Sequence, residues 1–151
     1  FTRDGSAITF GIAQAPLDSI PADSLADKAV FDLWHWRDAR LQPQQRVEAG
    51  RDRARAHTAV YHLATNRWTQ LGTDSLPQIS VSEDGRLALA VTSVPYAQST
   101  MWGESGSDVL LLDARTGARR PVAQRVRGGA QLSPGARYVT WFADGRWHAM
   151  D

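Results

Sequence analysis

The chain has 151 residues, with 17 basic against 16 acidic side chains and no cysteine. This length is enough for one domain with a hydrophobic core. The lack of cysteine excludes disulfides and thiolate metal sites. The balanced charge indicates neither a nucleic acid nor a membrane as partner, and no apolar run approaches the roughly 18–20 residues of a membrane-spanning helix.

The first half of the chain contains apolar runs of strand length that are separated by turn-forming residues. They predict strands at Ser6–Gln14, Ala29–Trp36, Thr58–Leu63 and Trp68–Leu71. Ala15–Lys28 is predicted as a loop with a helical turn near Ala22–Asp27. Pro43–His57 is predicted as a short helix or an exposed arm, because Gly50 interrupts a run of good helix formers.

The second half is organised around Gln78–Val94, which predicts a short strand, a tight turn and a longer strand. Ser82, Asp84 and Gly85 supply the turn, since small hydrogen-bonding side chains precede a residue that tolerates positive φ. A loop is predicted at Pro95–Ser107. Further strands are predicted at Asp108–Leu112, Arg120–Val126, Gln131–Ser133, Tyr138–Phe142 and Arg146–Met150.

A repeat relates these elements. Ser82 matches Ser133, and Thr65 matches Thr116, in both cases 51 residues further along the chain. A period of about fifty residues that contains four short strands is typical of a β-propeller blade. The first unit is longer, and its extra residues fall within about 15–57.

The predicted fold class is therefore all-β, a partial β-propeller of about two and a half four-stranded blades with one inserted loop or helical segment. Blade 1 covers about 1–72 with its insertion, blade 2 about 77–127, and 130–151 begins blade 3. Because both ends fall inside a repeat and closed propellers need about four or more blades, we expect a piece of a longer protein. Its partners would be the rest of the propeller or, through exposed blade edges, further copies of itself.

Two kinds of motif resemble a known family. The turns SEDGR and SPGAR, with the hairpins LATNRWTQL and DARTGARRPV, are similar to the propeller of the prolyl oligopeptidase family of serine peptidases. The segment DLWHWRDARLQPQQ at Asp32–Gln45 and the loop at Ser99–Asp113 resemble large bacterial members of that family. The turns alone also occur in other propellers, such as the periplasmic propeller protein of the Tol system.

The resemblance implies a propeller that caps an α/β-hydrolase domain, which carries the catalytic serine, aspartate and histidine. None of these residues has a counterpart here, so no catalytic residue is predicted. The nearest match to a nucleophile elbow, at 103–107, has Ser107 where glycine is required, and a loop precedes it while a strand follows.

Six residues are candidate contacts for a substrate or another domain: Trp34, His35, Trp36, Arg37, Asp38 and Trp102. In one interpretation, the first five line a peptide-binding cleft and the sixth contacts substrate from its loop. In the interpretation we favour, the tryptophans pack between blades for their buried area, Arg37 and Asp38 hold the insertion, and Trp102 anchors its loop.

No metal site and no cofactor are predicted. The histidines lack helical ligand spacing, and the sequence around Asp84 lacks the pattern of a calcium loop. The arginines at 51, 53 and 55 and those at 115–127 are interpreted as a solvated face or an interdomain ion-pair surface rather than nucleic-acid sites, because stacking partners are missing.

The resemblance therefore predicts the non-catalytic propeller portion of a prolyl oligopeptidase-like serine peptidase. This portion would restrict access and help to orient peptide substrates for a hydrolase domain absent from this chain. The alternative is a Tol-like propeller that acts as a protein–protein interaction module. The sequence leaves the compartment undetermined, and only the likeness to bacterial relatives suggests the periplasm or secretion.

Overall fold

The computed structural model describes residues 1–15, 21, 24 and 33–151. These residues belong to two compact units. Unit 1 comprises Phe1–Ile12 and His57–Asp151, and unit 2 comprises Ala13–Ala56. The bounds of unit 2 lie within two residues of the insertion predicted at about 15–57.

Unit 1 is predominantly β, and its described residues form three antiparallel sheets. The first sheet has the strand order β1 (Ala7–Ala13), β2 (Ala56–His62) and β3 (Arg67–Gln70). The central sheet has the order β4 (Gln78–Val81), β5 (Leu87–Thr92), β6 (Ser107–Asp113) and β7 (Arg119–Val126). The third sheet has the order β10 (Arg146–Met150), β9 (Val139–Ala143) and β8 (Ala130–Leu132).

The strands group as the repeat predicts, with three in the first sheet, four in the central sheet and three in the third. The division into blades at 1–72, 77–127 and 130–151 stays a prediction. The structure also contains helix α1 (Gln42–Arg53) in unit 2 and a short helix α2 (Ala97–Thr100) in unit 1.

Two predictions of local structure need correction. The strand predicted at Ala29–Trp36 is wrong in its described part, since residues 33–36 have no strand conformation, while 29–32 lie outside the described residues. The loop predicted at Pro95–Ser107 contains a 3-10 turn at Val94–Tyr96 followed by α2. The helical turn predicted near Ala22–Asp27 lies outside the described residues, apart from Ser24.

The turn between β4 and β5 has the chemistry that the sequence predicts. The Ser82 hydroxyl donates to Asp84 Oδ1 at 2.7 Å, and the Arg86 amide donates to the same oxygen at 3.1 Å. Ser82 Oγ in turn accepts the Leu87 amide at 3.1 Å, and Gly85 takes φ +65°. The carboxylate of Asp84 thus closes the turn that aligns β4 with β5.

The other two sheets carry variants of this turn. Before β1, Thr2 donates its hydroxyl to Asp4 at 2.8 Å. Between β8 and β9, the acid is missing and Ser133 Oγ accepts the Tyr138 amide at 3.0 Å. Ala136 occupies the position equivalent to Gly85 and is held at φ +54°. Positive φ is unfavourable for residues with a Cβ. The turn between β8 and β9 is therefore strained at Ala136, whereas the turn between β4 and β5 is not strained at Gly85.

The central sheet is buried on both of its faces. Alternation along β5 sends Ala88 and Ala90 to one face and Leu89 to the other. The first face belongs to a buried cluster shared with the first sheet, formed by Ala7, Val60, Leu71, Leu76, Ala88, Ala90, Leu112 and Ala114. The second belongs to a buried cluster shared with the third sheet, formed by Leu89, Val109, Val126 and Val139.

Polar contacts also join the first sheet to the central one. Arg3 donates its amide to the Glu83 carbonyl at 2.9 Å, and His62 Nε2 lies 3.1 Å from the Ala114 carbonyl. The turn itself approaches the first sheet closely, because a Cβ on Gly85 would lie 3.0 Å from Ala7 Cβ. Glycine is therefore required at 85 both for its φ and for this contact.

The Asp84 turn predicts a dependence of stability on pH. The hydrogen bond from Ser82, supported by Arg86, lowers the pKa of Asp84 from 3.8 to about 2. A lowered carboxyl pKa stabilises the folded protein above pH 3.8, and that contribution is lost as the pH falls toward 2. We expect Asp84→Asn to lower the free energy of unfolding by up to about 2 kcal/mol near neutral pH. Denaturant titrations at several pH values should show the difference from the wild type shrinking below pH 4.

Glu83→Gln is the matched control, because Glu83 is adjacent but forms an exposed ion pair with Arg3. Such pairs contribute at most about 1 kcal/mol. An Asp84→Asn variant no less stable than Glu83→Gln at neutral pH would contradict this account of the turn.

The strain at Ala136 predicts a stabilising substitution. Ala136→Gly should raise the free energy of unfolding by about 1 kcal/mol, because glycine adopts positive φ without the steric cost of a Cβ. Thermal unfolding monitored by circular dichroism measures the change. Gly85→Ala is the reverse substitution at the equivalent position and should destabilise the protein. A loss of stability in Ala136→Gly would refute the assignment of strain.

Candidate functional site

The first group of predicted site residues forms a hydrogen-bonded turn in unit 2. Asp38 Oδ2 accepts the His35 amide at 2.8 Å, and the Asp38 amide donates to the His35 carbonyl at 2.9 Å. The Arg37 amide donates to His35 Nδ1 at 3.1 Å. These side chains satisfy backbone groups that a strand would pair with another strand. The turn therefore replaces the predicted strand in the described residues, and it uses His35 and Asp38 as structural groups.

The tryptophans of this turn face solvent. Trp34 and Trp36 are 65% and 68% exposed. The expectation that they pack between blades stays a prediction. The Arg37 guanidinium lies 4.6 Å from the centre of the Trp36 ring, and the His35 ring lies 5.6 Å from it. Cation–π stacking of this kind orders the ring without burying it. The turn thus leaves most of both indole side chains exposed.

Helix α1 follows the turn and is held by charged side chains. None of its residues is buried. Arg40, which precedes the helix, pairs with Glu48 and lies 2.7 Å from Asp52. Arg55 pairs with Asp52, and Arg51 lies 3.0 Å from Glu48. The arginines at 51 and 55 are ion-paired within unit 2, and the interdomain ion-pair surface stays a prediction.

Hydrogen bonds in this cluster also shift the pKa values of Arg40 and Asp52. Its hydrogen bonds with Asp52 and then Glu48 raise the pKa of Arg40. The reciprocal hydrogen bond from Arg40 lowers the pKa of Asp52. These ion pairs connect Arg40, which precedes α1, to two residues of the helix and so fix the path of the backbone between them.

A surface groove of about 580 Å³ lies between the turn and the helix within unit 2. Its lining includes Asp38, Arg40, Gln45 and Asp52. Gln45 connects the two elements, because its side-chain Nε2 donates to Asp38 Oδ2 at 3.4 Å and to the Arg40 carbonyl at 2.8 Å. The groove is therefore a polar surface of mixed charge.

The remaining predicted residue, Trp102, lies in unit 1 on the segment between β5 and β6. It is 82% exposed, so the expectation that it anchors its loop by burial is wrong. The loop has a separate support, since the Tyr96 hydroxyl donates to Asp108 Oδ1 at 2.6 Å and the Arg125 amide donates to the same oxygen at 3.0 Å. The hydrogen bond to Asp108 raises the pKa of Tyr96.

The rest of the loop is packed tightly against β7. Arg125 Nη2 lies 2.8 Å from Glu104 Oε2, and its guanidinium lies 5.7 Å from the centre of the Tyr96 ring. A Cβ on Gly106 would lie 2.6 Å from Arg125 Cγ, which explains the glycine at this position. Trp102 is thus an exposed side chain on an ordered loop, as expected of a binding contact.

The histidines of the described residues make structural contacts. His57 Nε2 lies 3.6 Å from Asp74 Oδ1, and His148 Nε2 lies 3.3 Å from the Ala143 carbonyl. His62 and His35 bond to backbone groups as described above. Within the described ranges, no group of three or more histidine, aspartate or glutamate side chains is arranged to hold a metal ion.

Some features of these sites had partial signals in the sequence. Glu48 and Asp52 are four residues apart, as expected for one helix face, but Arg40 lies outside the helix and gave no such signal. The sequence gives no signal for the environment of His57, whose Nδ1 is buried without a hydrogen-bond partner in the structure.

Comparison with known proteins does not identify a family for this chain. No family model matches the chain, and a search of curated proteins finds no match. Over the part of the chain that the structure describes, no helix is both long enough and apolar enough to cross a membrane. The prolyl oligopeptidase relationship therefore stays a prediction from the motifs quoted above.

Helix α1 supplies a test of the groove's framework. Gly50 lies in the helix with open space around the position of a Cβ. Gly50→Ala should stabilise α1 by roughly 0.5–1 kcal/mol, because alanine loses less backbone entropy in a helix. Amide hydrogen exchange of residues 42–53 should slow. Gly129→Ala is the control, because it also adds a methyl group in open space but lies in unit 1, and it should leave exchange in α1 unchanged. Unchanged exchange in Gly50→Ala would contradict the assignment of α1 as a helix in solution.

Proposed function

We propose that the chain is part of the non-catalytic β-propeller of a prolyl oligopeptidase-like serine peptidase. The observation that carries the fold is the sheet arrangement: a four-stranded antiparallel sheet packed on both faces by sheets of the same repeat. In a propeller, every blade is packed in this way between two neighbours. The motifs at Asp32–Gln45 and Ser99–Asp113 carry the choice of family.

In this proposal, the propeller restricts access, so that short peptides reach the hydrolase domain and folded proteins do not. The groove beside Asp38 and the exposed rings of Trp34, Trp36 and Trp102 are its contacts with peptide or with the hydrolase domain. Exposed indoles on ordered segments favour such contacts, because tryptophan contributes large contact area at low entropic cost. The hydrolase domain supplies nucleophile, base and oxyanion hole together.

The alternative is an interaction module similar to the Tol-system propeller. The same exposed tryptophans favour it, since they suit a protein partner as well as a peptide. The two functions differ in what accompanies the propeller. A peptidase needs a G-x-S-x-G elbow between a strand and a helix, with aspartate and histidine further along. An interaction module needs only further blades.

The coding sequence that flanks these 151 residues is therefore the decisive measurement. We expect it to encode a serine elbow within an α/β pattern downstream. Further blades without an elbow would overturn the peptidase proposal and support the interaction module.

The isolated chain provides a second, independent test. Incubated with a fluorophosphonate probe, which labels activated serines, it should remain unlabelled. The matched positive control is the protein encoded by the complete gene. Labelling of the isolated chain would contradict the assignment of catalysis to another domain.

A further inference from the structure

A pocket of about 390 Å³ lies in unit 1, where three turns come together. These are the turns β4–β5, β6–β7 and β8–β9, and each connects two strands of a described sheet. The lining comprises two arginines, two aspartates and three uncharged residues. Pockets of this size accommodate small organic ligands. The pocket is separate from the groove of unit 2 and has no role in the function proposed above.

The two aspartates of the pocket are used by their own turns. Asp84 Oδ1 closes the turn β4–β5, as described above. Asp113 Oδ1 accepts the amides of Arg115 and Thr116, each at 2.8 Å. Both carboxylates thus accept hydrogen bonds from groups of the turn in which they lie, and they serve to hold those turns in shape.

The two arginines retain unused donors. Arg86 donates from Nε to Asp84 Oδ2 at 2.6 Å, and its terminal nitrogens form no hydrogen bond with the described residues. Arg115 is fixed by its backbone, because its carbonyl accepts the Thr69 hydroxyl at 2.8 Å. Its guanidinium pairs with no acid in the part of the chain that the structure describes. A guanidinium has five N–H donors and no acceptor, so both side chains can bind a further anionic group.

The third wall of the pocket lacks the acids that the repeat places at its positions. Pro134 and Gly135 lie 51 residues after Glu83 and Asp84. The junction of the first and central sheets shows what such an acid does, because Arg3 lies 3.2 Å from Glu83 across the two turns. At the junction with the third sheet, the turn β8–β9 has no carboxylate to offer the arginines of the pocket.

We propose that this pocket binds the carboxylate group of a small organic ligand through the guanidinium groups of Arg86 and Arg115. Planar guanidinium groups match the two oxygens of a carboxylate. Leu87 and Ala136 also line the pocket, and they offer contact to an aliphatic chain, which an inorganic anion does not have. The ligand supplies the charge that the turn β8–β9 lacks. The proposal is independent of the peptidase assignment.

The test is a titration of the isotope-labelled chain with sodium butyrate, followed by nuclear magnetic resonance through the amide signals of Arg86, Arg115 and Ala136. Sodium chloride at the same ionic strength measures the shift that salt alone causes. Sodium phosphate measures the response to an anion without an aliphatic chain. We expect saturable shifts, confined to the pocket, with butyrate and not with the two inorganic salts.

Substitution of the arginines tests their role. Arg86→Gln and Arg115→Gln should each lower the affinity for butyrate at least about tenfold, as expected for the loss of a hydrogen bond between charged groups. Arg67→Gln is the matched control, because Arg67 is also an exposed arginine of unit 1 but does not line the pocket. Its affinity should equal that of the wild type.

A further variant restores the missing acid. Gly135 has open space around the position of a Cβ and does not adopt positive φ. Gly135→Asp therefore places a carboxylate at the pocket without a steric conflict, and it should lower the affinity for butyrate at least about tenfold by competing for the arginines. Gly135→Asn has the same shape without the charge and should still bind. The dispersion of the amide signals shows that each variant is folded.

Two probes distinguish the source of the carboxylate. Butyrate represents a free acid, and N-acetylated dialanine represents the C-terminus of a peptide. The C-terminal amide of the same dipeptide lacks the carboxylate and should cause no shift. Saturable binding of either carboxylate supports the proposal, and the tighter of the two identifies the kind of ligand.

Three results would overturn the proposal. The first is the absence of saturable shifts with both carboxylates. The second is an equal response to chloride, to phosphate or to the dipeptide amide, because it would show that the pocket does not select an organic carboxylate. The third is an affinity that Gly135→Asp leaves unchanged, or that Gly135→Asn lowers by as much as Gly135→Asp does.

Discussion

Burial of the central sheet on both faces is the constraint on which the rest of unit 1 depends. Alternation along β5 directs Ala88 and Leu89 to opposite clusters, so neither flanking sheet can be removed without exposing apolar surface of the central one. The turn at Asp84 sets the register between β4 and β5, and Gly85 lets that turn approach the first sheet. The same arrangement leaves each flanking sheet with a face not covered by the sheets described here.

The strands of unit 1 are predictable from the sequence because their signals are local. Apolar runs and the turn residues at 82–85 determine where strands begin and end, and the 51-residue offset alone divides them into three groups. The turn at 35–38 is not predictable from side-chain alternation. There, Asp38 satisfies backbone groups of its own turn, and this local competition replaces a strand.

The sequence predicts which residues belong to the candidate sites, but it does not predict whether those residues are buried or exposed. The sequence draws attention to Trp34, Trp36 and Trp102 as unusual, yet average tryptophan behaviour favours burial and the structure exposes all three. Helix α2 is missed because Pro95 indicates a loop. The hydroxyl of Thr100 donates to the Tyr96 carbonyl at 2.8 Å and supports that helical turn, a contact that no periodicity reveals.

The ion pairs around Arg40 imply that the two units respond differently to ionic strength. Added salt screens charge pairs at the surface, over a Debye length of about 10 Å at 0.1 M, whereas it leaves apolar burial largely intact or strengthens it. Arg40, Glu48 and Asp52 are all partly exposed, and no residue of α1 is buried. Helix α1 and its groove therefore belong to the salt-sensitive part of the molecule, and the three sheets to the salt-tolerant part.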